Sequence, residues 1–369
     1  MKKILLITRP ISPPWDEASK NFAYYLAKSL DTFEFLLLTK GRLEELPSRI
    51  EQKPIYTSNH LDIWQKLRIL KVTSFKNKVD IIHFMLTPAK LNAFGFKTFL
   101  KSRRAKTIQT IATLREDLFS ASDFKKILFA NHIITYSDYA KNKLNALGFS
   151  NITRIYPGID LEKYVFQTKD LPAMELFKIS ENDFVITYPG EYTRLGATDE
   201  IVASLPTLFE KIPNAKFVFA CRVKNEKDAL KKAEVVTKLK EKGILEKVIF
   251  TDTFTDMPKL YNLSDIVVFP VHDMKGKFDV PLAVIEAMAC EKPVIISDLP
   301  ILQEFATKEN SVIIKTGETS SLIAACEKLQ QNPEQAISIG KSAREYVEKN
   351  FNINDVAKKY AEVYEQLLS

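Results

Sequence analysis

The chain has 369 residues and is poor in the residues that mark metal-binding, disulfide-rich and membrane-spanning proteins. Its three cysteines form no Cys-x-x-Cys pair, which excludes the common zinc and redox spacings and predicts small core residues in a reducing compartment. No stretch approaches the roughly 20 apolar residues that span a bilayer. The apolar start at residues 4–8 is broken by Arg9 and Pro10, with no small-residue cleavage site. We therefore expect a first strand rather than a signal peptide, and a cytoplasmic protein.

Glycine is scarce, with ten in the whole chain. No Gly-x-Gly-x-x-Gly follows the first predicted strand, where residues 9–17 carry prolines and acids instead, so a nicotinamide enzyme is disfavoured. There is no Walker loop, Gly-x-Ser-x-Gly elbow or zinc signature. No nucleic-acid-binding module is recognisable, so we expect no nucleic-acid partner.

Charge is unevenly distributed along the chain. Residues 1–167 hold 27 basic and 15 acidic residues, a net +12, whereas the remainder holds 26 and 31, a net −5. One interpretation is a basic half that faces a phosphate-bearing acceptor or the inner face of an anionic membrane, as a peripheral contact. The other is a lysine-rich surface in water. Residues 63–78 and 94–106 mix aromatic with basic residues, as do amphipathic helices that lie on anionic bilayers. We favour core packing for those aromatic side chains, and contact with a bilayer is the alternative.

Short apolar runs alternate with amphipathic stretches throughout, and 46% of residues are hydrophobic. Nearly continuous apolar strands are typical of parallel sheets covered on both faces. The predicted strands of the first half are Ile4–Thr8, Glu34–Thr39, Ile81–Phe84, Lys106–Thr110, His132–Tyr136 and Ile152–Ile155. Those of the second half are Val185–Tyr188, Ala215–Ala220, Val248–Thr251, Ile266–Phe269, Val294–Ser297 and Val312–Ile314. The predicted helices are Ala18–Ser29, Ile63–Phe75, Tyr139–Leu147, Ala197–Lys211, Glu226–Lys242, Leu282–Ala289, Leu322–Gln330 and Asp355–Leu368.

The length and this repeated order predict two doubly wound, Rossmann-like α/β domains that face each other across a cleft. The first covers residues 1–160, joined by a C-terminal crossover helix at about 352–369, and the second covers 161–351. Gly158–Asn182 is the predicted linker. Ligands of such sheets bind at the carboxyl ends of the strands.

Two segments of the second half carry candidate chemistry. Pro189–Thr198 follows a strand and opens a helix, so Gly190, Gly196 and Arg194 predict a phosphate cradle at a helix N-terminus. A plain tight turn is the alternative. Phe269–Pro281 is a polar loop before a helix that places Glu286 in an apolar turn. A carboxylate there needs partners, and ribose hydroxyls suit it.

An ordered series of motifs resembles glycosyltransferase family 4, the group 1 glycosyl transferases. It comprises Asp265–Pro270, Glu286–Ile295, Gln303-Glu304, Tyr156–Asp160 and the C-terminal Tyr360–Leu368. The resemblance spans nearly the whole chain and implies a GT-B fold and a metal-independent reaction, usually with retention of configuration. It implies no cofactor beyond a nucleoside-diphosphate sugar used as substrate. It also implies that the second domain binds this donor and the first domain binds a glycan or lipid-linked acceptor.

The family pattern is broken at several site positions. Phe278 stands where the family has the first of two glutamates, and Asp279 beside it is the candidate replacement. Glu191 stands where the family has a diphosphate-binding arginine, and Ala112 stands where it has a histidine. Arg194, Lys275 and Lys277 are the candidate replacements for the missing cations.

The two segments and the resemblance together lead us to predict a role for each candidate residue. Asp279 and His83 are the catalytic candidates, although a core histidine is at least as plausible for His83. The donor-binding candidates are Gly190, Arg194, Gly196, His272, Lys275, Lys277, Phe278 and Glu286. The acceptor-binding candidates are Trp15, Asp16 and Glu17, and no metal site is expected. Two alternatives stay open: a non-catalytic nucleotide-sugar-binding or scaffold protein of a polysaccharide pathway, and, less favoured, a sugar-nucleotide epimerase.

Overall fold

A computed structural model describes residues 1–13, 15, 17–58, 61–74, 79–100 and 104–369. The chain divides into two compact units. The first comprises residues 1–159, 276–280 and 350–369, and the second comprises 160–275 and 281–349. The predicted boundary at 160 lies next to this division, but the short segment 276–280 was expected in the second domain.

Within the described residues, the first unit contains a seven-stranded sheet. Its strands are β1 (Lys3–Ile11), β2 (Glu34–Thr39), β3 (Ile50–Pro54), β4 (Ile81–Phe84), β5 (Lys106–Ile111), β6 (His132–Thr135) and β7 (Ile152–Arg154). They lie in the order β3-β2-β1-β4-β5-β6-β7, and every adjacent pair is parallel. This order is that of a doubly wound sheet, with its switch point between β1 and β4.

Helices cover this sheet because one face of each is apolar. They are α1 (Ala18–Ser29), α2 (Ile63–Ser74), α3 (Lys90–Leu100), α4 (Ala121–Ile127) and α5 (Asp138–Ala146). Buried Ile69 and Val72 of α2 and Phe96 of α3 join the same core as Leu5 and Ile82 of the sheet. Ser120 starts α4 with a capping box, and Ser137 caps α5 by accepting from the Ala140 amide.

The second unit repeats the plan with six parallel strands in its described part. They are β8 (Phe184–Tyr188), β9 (Ala215–Phe219), β10 (Val248–Phe250), β11 (Ile266–Phe269), β12 (Val294–Ser297) and β13 (Val312–Ile314). The order β10-β9-β8-β11-β12-β13 places the switch point between β8 and β11. These are the two strands that precede the predicted cradle and the predicted donor loop.

The helices that follow complete the fold. They are α6 (Leu171–Phe177), α7 (Ala197–Lys211), α8 (Glu226–Glu241), α9 (Met257–Leu263), α10 (Leu282–Ala289), α11 (Thr319–Gln331), α12 (Pro333–Phe351) and α13 (Ile353–Leu368). The last of these, α13, belongs to the first unit, where Tyr360 and Tyr364 pack against Phe22 and Phe33 of the α1 region. Gly158 follows β7 in the chain and packs against the first residue of α13. A Cβ on Gly158 would lie 2.8 Å from the Ile353 backbone.

No helix in the described part of the chain is long and apolar enough to cross a membrane.

Candidate functional site

The turns after β8 and β11 meet at the switch point of the second sheet. β8 and β11 are hydrogen-bonded neighbours, so their carboxyl ends lie side by side. The His272 amide donates a hydrogen bond to the Leu195 carbonyl, with 2.7 Å between nitrogen and oxygen. The predicted cradle and the predicted donor loop are therefore one structural site within the second unit.

Both predicted glycines of the cradle have a steric reason to be glycine. A Cβ on Gly190 would lie 1.9 Å from the Tyr188 ring. Gly196 is the N-cap of α7 with a φ of 74°, and a Cβ there would lie 2.9 Å from the His272 ring. Positive φ and close approach are both conditions that glycine tolerates best. The first N–H groups of α7 thus begin directly beside the imidazole.

The charges around this turn differ from a simple basic cradle. Glu191 is buried, and its carboxylate pairs with Lys224 and with Arg194, whose Nε lies 2.9 Å from Oε2. Lys224 lies in the β9–α8 loop, and a 2.7 Å hydrogen bond from the Thr193 hydroxyl to Asp228 ties the first turn of α8 to the same turn. Lys224 was not predicted, because a lysine in a loop of a lysine-rich chain carries no motif.

A second acidic group lies at the start of α7. Glu200 is buried in the first turn, and its Oε2 lies 2.6 Å from Nε2 of His272. Its other oxygen, Oε1, is buried and has no hydrogen-bond partner among the described residues. A carboxylate is stabilised at a helix N-terminus by the helix dipole. The predicted donor residue His272 is therefore held between this carboxylate and Gly196.

Glu286 lies on α10 and is partly exposed. Tyr261 donates from its hydroxyl to Oε2 at 3.4 Å, and the Tyr164 hydroxyl also bonds the carboxylate. Burial raises the pKa of Glu286 to about 7, although the Tyr164 hydrogen bond and Lys163 oppose the shift. The carboxylate thus has two tyrosine partners within the protein, whereas the sequence suggested only ribose hydroxyls as partners.

Lys275 and Lys277 occupy different surroundings. Lys275 is exposed in the donor loop, and its Nζ lies 3.5 Å from the Asp273 carboxylate. Lys277 is partly exposed and falls in the segment 276–280 that belongs to the first unit. Lys275 therefore belongs to the same unit as His272 and Arg194, whereas Lys277 belongs to the first unit.

Phe278 and Asp279 also belong to the first unit. The Phe278 ring meets Tyr136 edge to face, with 5.3 Å between centroids. Asp279 is almost fully buried and accepts a hydrogen bond from the Ser137 hydroxyl, while its amide donates to the Ala112 carbonyl at 2.8 Å. These hydrogen bonds give Asp279 a structural role, because they hold it against Ser137, the N-cap of α5. They do not support the predicted catalytic role.

His83 lies in the core of the first unit rather than at a surface. It is fully buried, and its ring nitrogens lie 2.8 Å from the Tyr364 hydroxyl and 2.7 Å from the Thr110 hydroxyl. Burial lowers the pKa of His83 to about 3, so the ring is neutral at physiological pH. The geometry favours the core interpretation over the catalytic one.

The predicted acceptor residues lie between β1 and α1. The Trp15 ring packs on Tyr24 with 4.6 Å between centroids, and the Arg9 guanidinium lies 3.4 Å from the Glu17 carboxylate. Asp16, the third acceptor candidate, lies outside the described residues. Among the residues that the structure describes, no cluster of histidine, cysteine or carboxylate side chains is arranged to hold a metal ion.

The part of the chain that carries this site is similar to known glycosyl transferases. Residues 183–332, which lie within the second unit, match the family model of the group 1 glycosyl transferases. The capsular polysaccharide biosynthesis glycosyltransferase CapM of Staphylococcus aureus is 25% identical over 276 residues. That alignment covers 74% of this chain and 67% of CapM.

Two solved structures share the fold over the full length. Sucrose-phosphate synthase from Thermosynechococcus elongatus has a TM-score of 0.80 at 17% identity and covers 100% of this chain and 99% of its own. HepE of Anabaena, in complex with UDP and glucose, has a TM-score of 0.79 at 16% identity, with 99% of each chain covered. The two parallel-sheet domains are those of the GT-B fold, and the matches together support a glycosyltransferase.

Proposed function

We propose that this chain is a divergent member of glycosyltransferase family 4 that transfers a sugar from a nucleoside-diphosphate sugar to a hydroxyl acceptor. The observation that carries the proposal is the joining of two turns at the switch point of the second sheet, inside the segment that matches the group 1 domain. In the proposed reaction no metal takes part and the anomeric configuration is retained.

The donor is held by groups from three elements in this proposal. Glu286 accepts hydrogen bonds from the ribose hydroxyls, as carboxylates do in other doubly wound domains. The diphosphate lies at the N-terminus of α7, near Arg194 and Lys224. Both cations already pair with Glu191, so the diphosphate shares them with this carboxylate. His272 and Lys275 lie on the loop beside this turn.

Catalysis then depends on stabilising the departing nucleoside diphosphate. Negative charge develops on the leaving phosphate oxygen, and preorganised donors aimed at that charge lower the barrier. The helix N–H groups and the two cations are such donors. Phe278 and Ala112 stand where related enzymes carry a glutamate and a histidine, so the proposed mechanism relies on electrostatics at the phosphate rather than on those side chains.

Other features support narrower proposals. HepE was solved with UDP, so uridine donors come first in a search. CapM is named for capsular polysaccharide biosynthesis, so a glycan or lipid-linked acceptor is proposed, on the cytoplasmic face of the membrane. The group 1 domain favours a transferase over the epimerase alternative. Phe278 and the structural role of Asp279 are the observations that favour a non-catalytic donor-binding protein as the second candidate.

Replacing Glu286 by glutamine tests the donor site. The E286Q amide keeps hydrogen bonds to Tyr164 and Tyr261 but loses the charge that ribose hydroxyls would meet. Since a hydrogen bond to a charged group contributes roughly 1.5–3 kcal/mol, we expect donor affinity to fall about 10- to 100-fold by calorimetry. E241Q, on the exposed face of α8, is the matched control and should bind as the parent does. Equal affinity in E286Q would show that the ribose role is wrong, whereas no donor binding by the parent would refute the function.

A further inference from the structure

Helix α2 is apolar on both of its faces. Ile69 and Val72 are buried against the sheet of the first unit. On the opposite side Ile63, Trp64 and Leu67 are 53%, 69% and 49% exposed. A surface helix of a globular protein normally presents polar residues on its outer side. The expected core packing of the aromatic side chains is therefore wrong for Trp64, but it holds for Phe96, which is buried. Phe75 lies outside the described residues.

Helix α3 extends the same apolar surface. Phe94 is 72% exposed, whereas its neighbours Ala93 and Phe96 are buried. Gly95 of α3 faces α2, and a Cβ there would make an ordinary van der Waals contact of 3.7 Å with a methyl group of Leu70. A groove of about 180 Å³ opens between the two helices. Apolar side chains form most of its lining, among them Leu67, Leu70 and Phe94, together with Lys66. We call Ile63, Trp64, Leu67, Phe94 and this groove the α2–α3 surface.

The segment that carries the α2–α3 surface is rich in positive charge. Residues 63–106 contain eleven basic residues and one acidic residue, Asp80. Lys71 lies on α2 one helical turn after Leu67 and two turns after Trp64. Lys66, one turn after Ile63, lines the groove. Lysine is depleted in the cores of protein–protein interfaces. Aromatic and aliphatic side chains bordered by lysine are typical of segments that lie at the surface of an anionic bilayer.

We propose that the α2–α3 surface docks the protein on an anionic lipid bilayer. Trp64, Leu67 and Phe94 enter the headgroup region, and Lys66 and Lys71 face the lipid phosphates with their stems along the apolar groove. Binding of vesicles needs neither donor nor acceptor. Vesicle binding can therefore be present or absent whether or not the chain has the proposed transferase activity.

Trp64 provides a direct reporter of this contact. The chain has two tryptophans, so W15F leaves Trp64 as the single fluorophore. We expect its emission to shift to shorter wavelength with phosphatidylcholine vesicles that contain phosphatidylglycerol, but not with phosphatidylcholine alone. The protein should co-sediment with the anionic vesicles, and added salt should weaken this binding because it screens the lysine–phosphate attraction.

Paired variants distinguish binding through the α2–α3 surface from non-specific adsorption of exposed apolar side chains. We expect L67S/F94S to reduce the vesicle partition coefficient about tenfold or more, because two large apolar side chains no longer leave water. K66E/K71E should reduce it similarly for anionic vesicles. The control L230S/I337S changes side chains that are 66% and 57% exposed on α8 and α12, and should bind as the parent does. All of these positions are on the surface, so thermal unfolding should change little.

Three results would overturn the proposal. The first is a parent chain that does not bind anionic vesicles. The second is an L67S/F94S variant that binds them as well as the parent or no worse than L230S/I337S. The third is a dimer in solution that L67S/F94S dissociates while vesicle binding is absent, which would assign the α2–α3 surface to contact between two copies of this chain.

Discussion

At the scale of single residues, Glu286 links donor binding to pH. Its pKa is raised to about 7 by burial, so the carboxyl changes its protonation state near neutral pH. Ribose hydroxyls donate stronger hydrogen bonds to the ionised carboxylate than to the neutral carboxyl. We expect the affinity for a nucleotide sugar to rise with pH by up to about tenfold per unit below pH 7, and to level off above it.

Calorimetric titrations between pH 6 and 8 would measure this dependence. A nucleotide sugar is preferable to the free diphosphate, since a terminal phosphate itself titrates near pH 6. E286Q should give a flat profile, and E241Q should keep the slope of the parent. A slope that survives in E286Q would assign the titration to another group.

Stability supplies a readout of the same carboxyl without ligand. The folded-state pKa lies above the ordinary value of 4.5, so the folded chain binds more protons than the unfolded chain between pH 4.5 and 7. The contribution of Glu286 to the free energy of unfolding is therefore complete below that window and is lost as pH rises through it. Urea unfolding of the parent and E286Q should diverge in this range.

Sequence reasoning reached some of these residues and missed others for physical reasons. Glu286 was recognisable because a carboxylate in an apolar turn needs partners, although Tyr164 and Tyr261 come from distant parts of the chain. Lys224 was missed because its significance arises only from its contact with Glu191. The two hydroxyl partners of His83 favour its core interpretation, and no local pattern reveals them.

At the scale of elements, strongly patterned segments were predicted most accurately. Ala18–Ser29, Ala197–Lys211 and Leu282–Ala289 begin and end where expected. β3 was missed, because this edge strand carries Glu51, Gln52 and Lys53 rather than an apolar run. Helix α6 lies inside the predicted linker, where Asp170 caps a short helix.

The β9–α8 loop contributes Lys224 to the phosphate cradle, where it pairs with Glu191. We expect K224A to weaken binding of a nucleoside diphosphate about tenfold, because a charge-assisted hydrogen bond to phosphate is lost. K227A, an exposed lysine on α8, should have little effect. Binding of uridine, which has no phosphate, should be equal in all three proteins by calorimetry. An equal loss for uridine would mean that K224A disturbs the loop rather than the phosphate contact.

At the scale of the whole molecule, the two sheets were predictable and the assignment of one short segment was not. Apolar runs set the strands of both units, and the repeated pattern indicated two domains. The segment 276–280 lies between elements of the second unit yet belongs to the first, through Asp279 with Ser137 and Phe278 with Tyr136. These are contacts between residues about 140 positions apart in the chain, which periodicity does not encode.

The central claim is that the whole chain uses a nucleoside-diphosphate sugar as donor. The most direct measurement incubates it with UDP-, GDP- and ADP-sugars and an acceptor mixture, and records release of nucleoside diphosphate beside the thermal shift of each donor. Ligand that binds the native state raises its apparent stability. We expect one donor to raise the unfolding temperature and to release its nucleoside diphosphate. Both effects should be strongly reduced in E286Q. A shift without release under any acceptor would favour the non-catalytic candidate, and no shift with any donor would contradict the account.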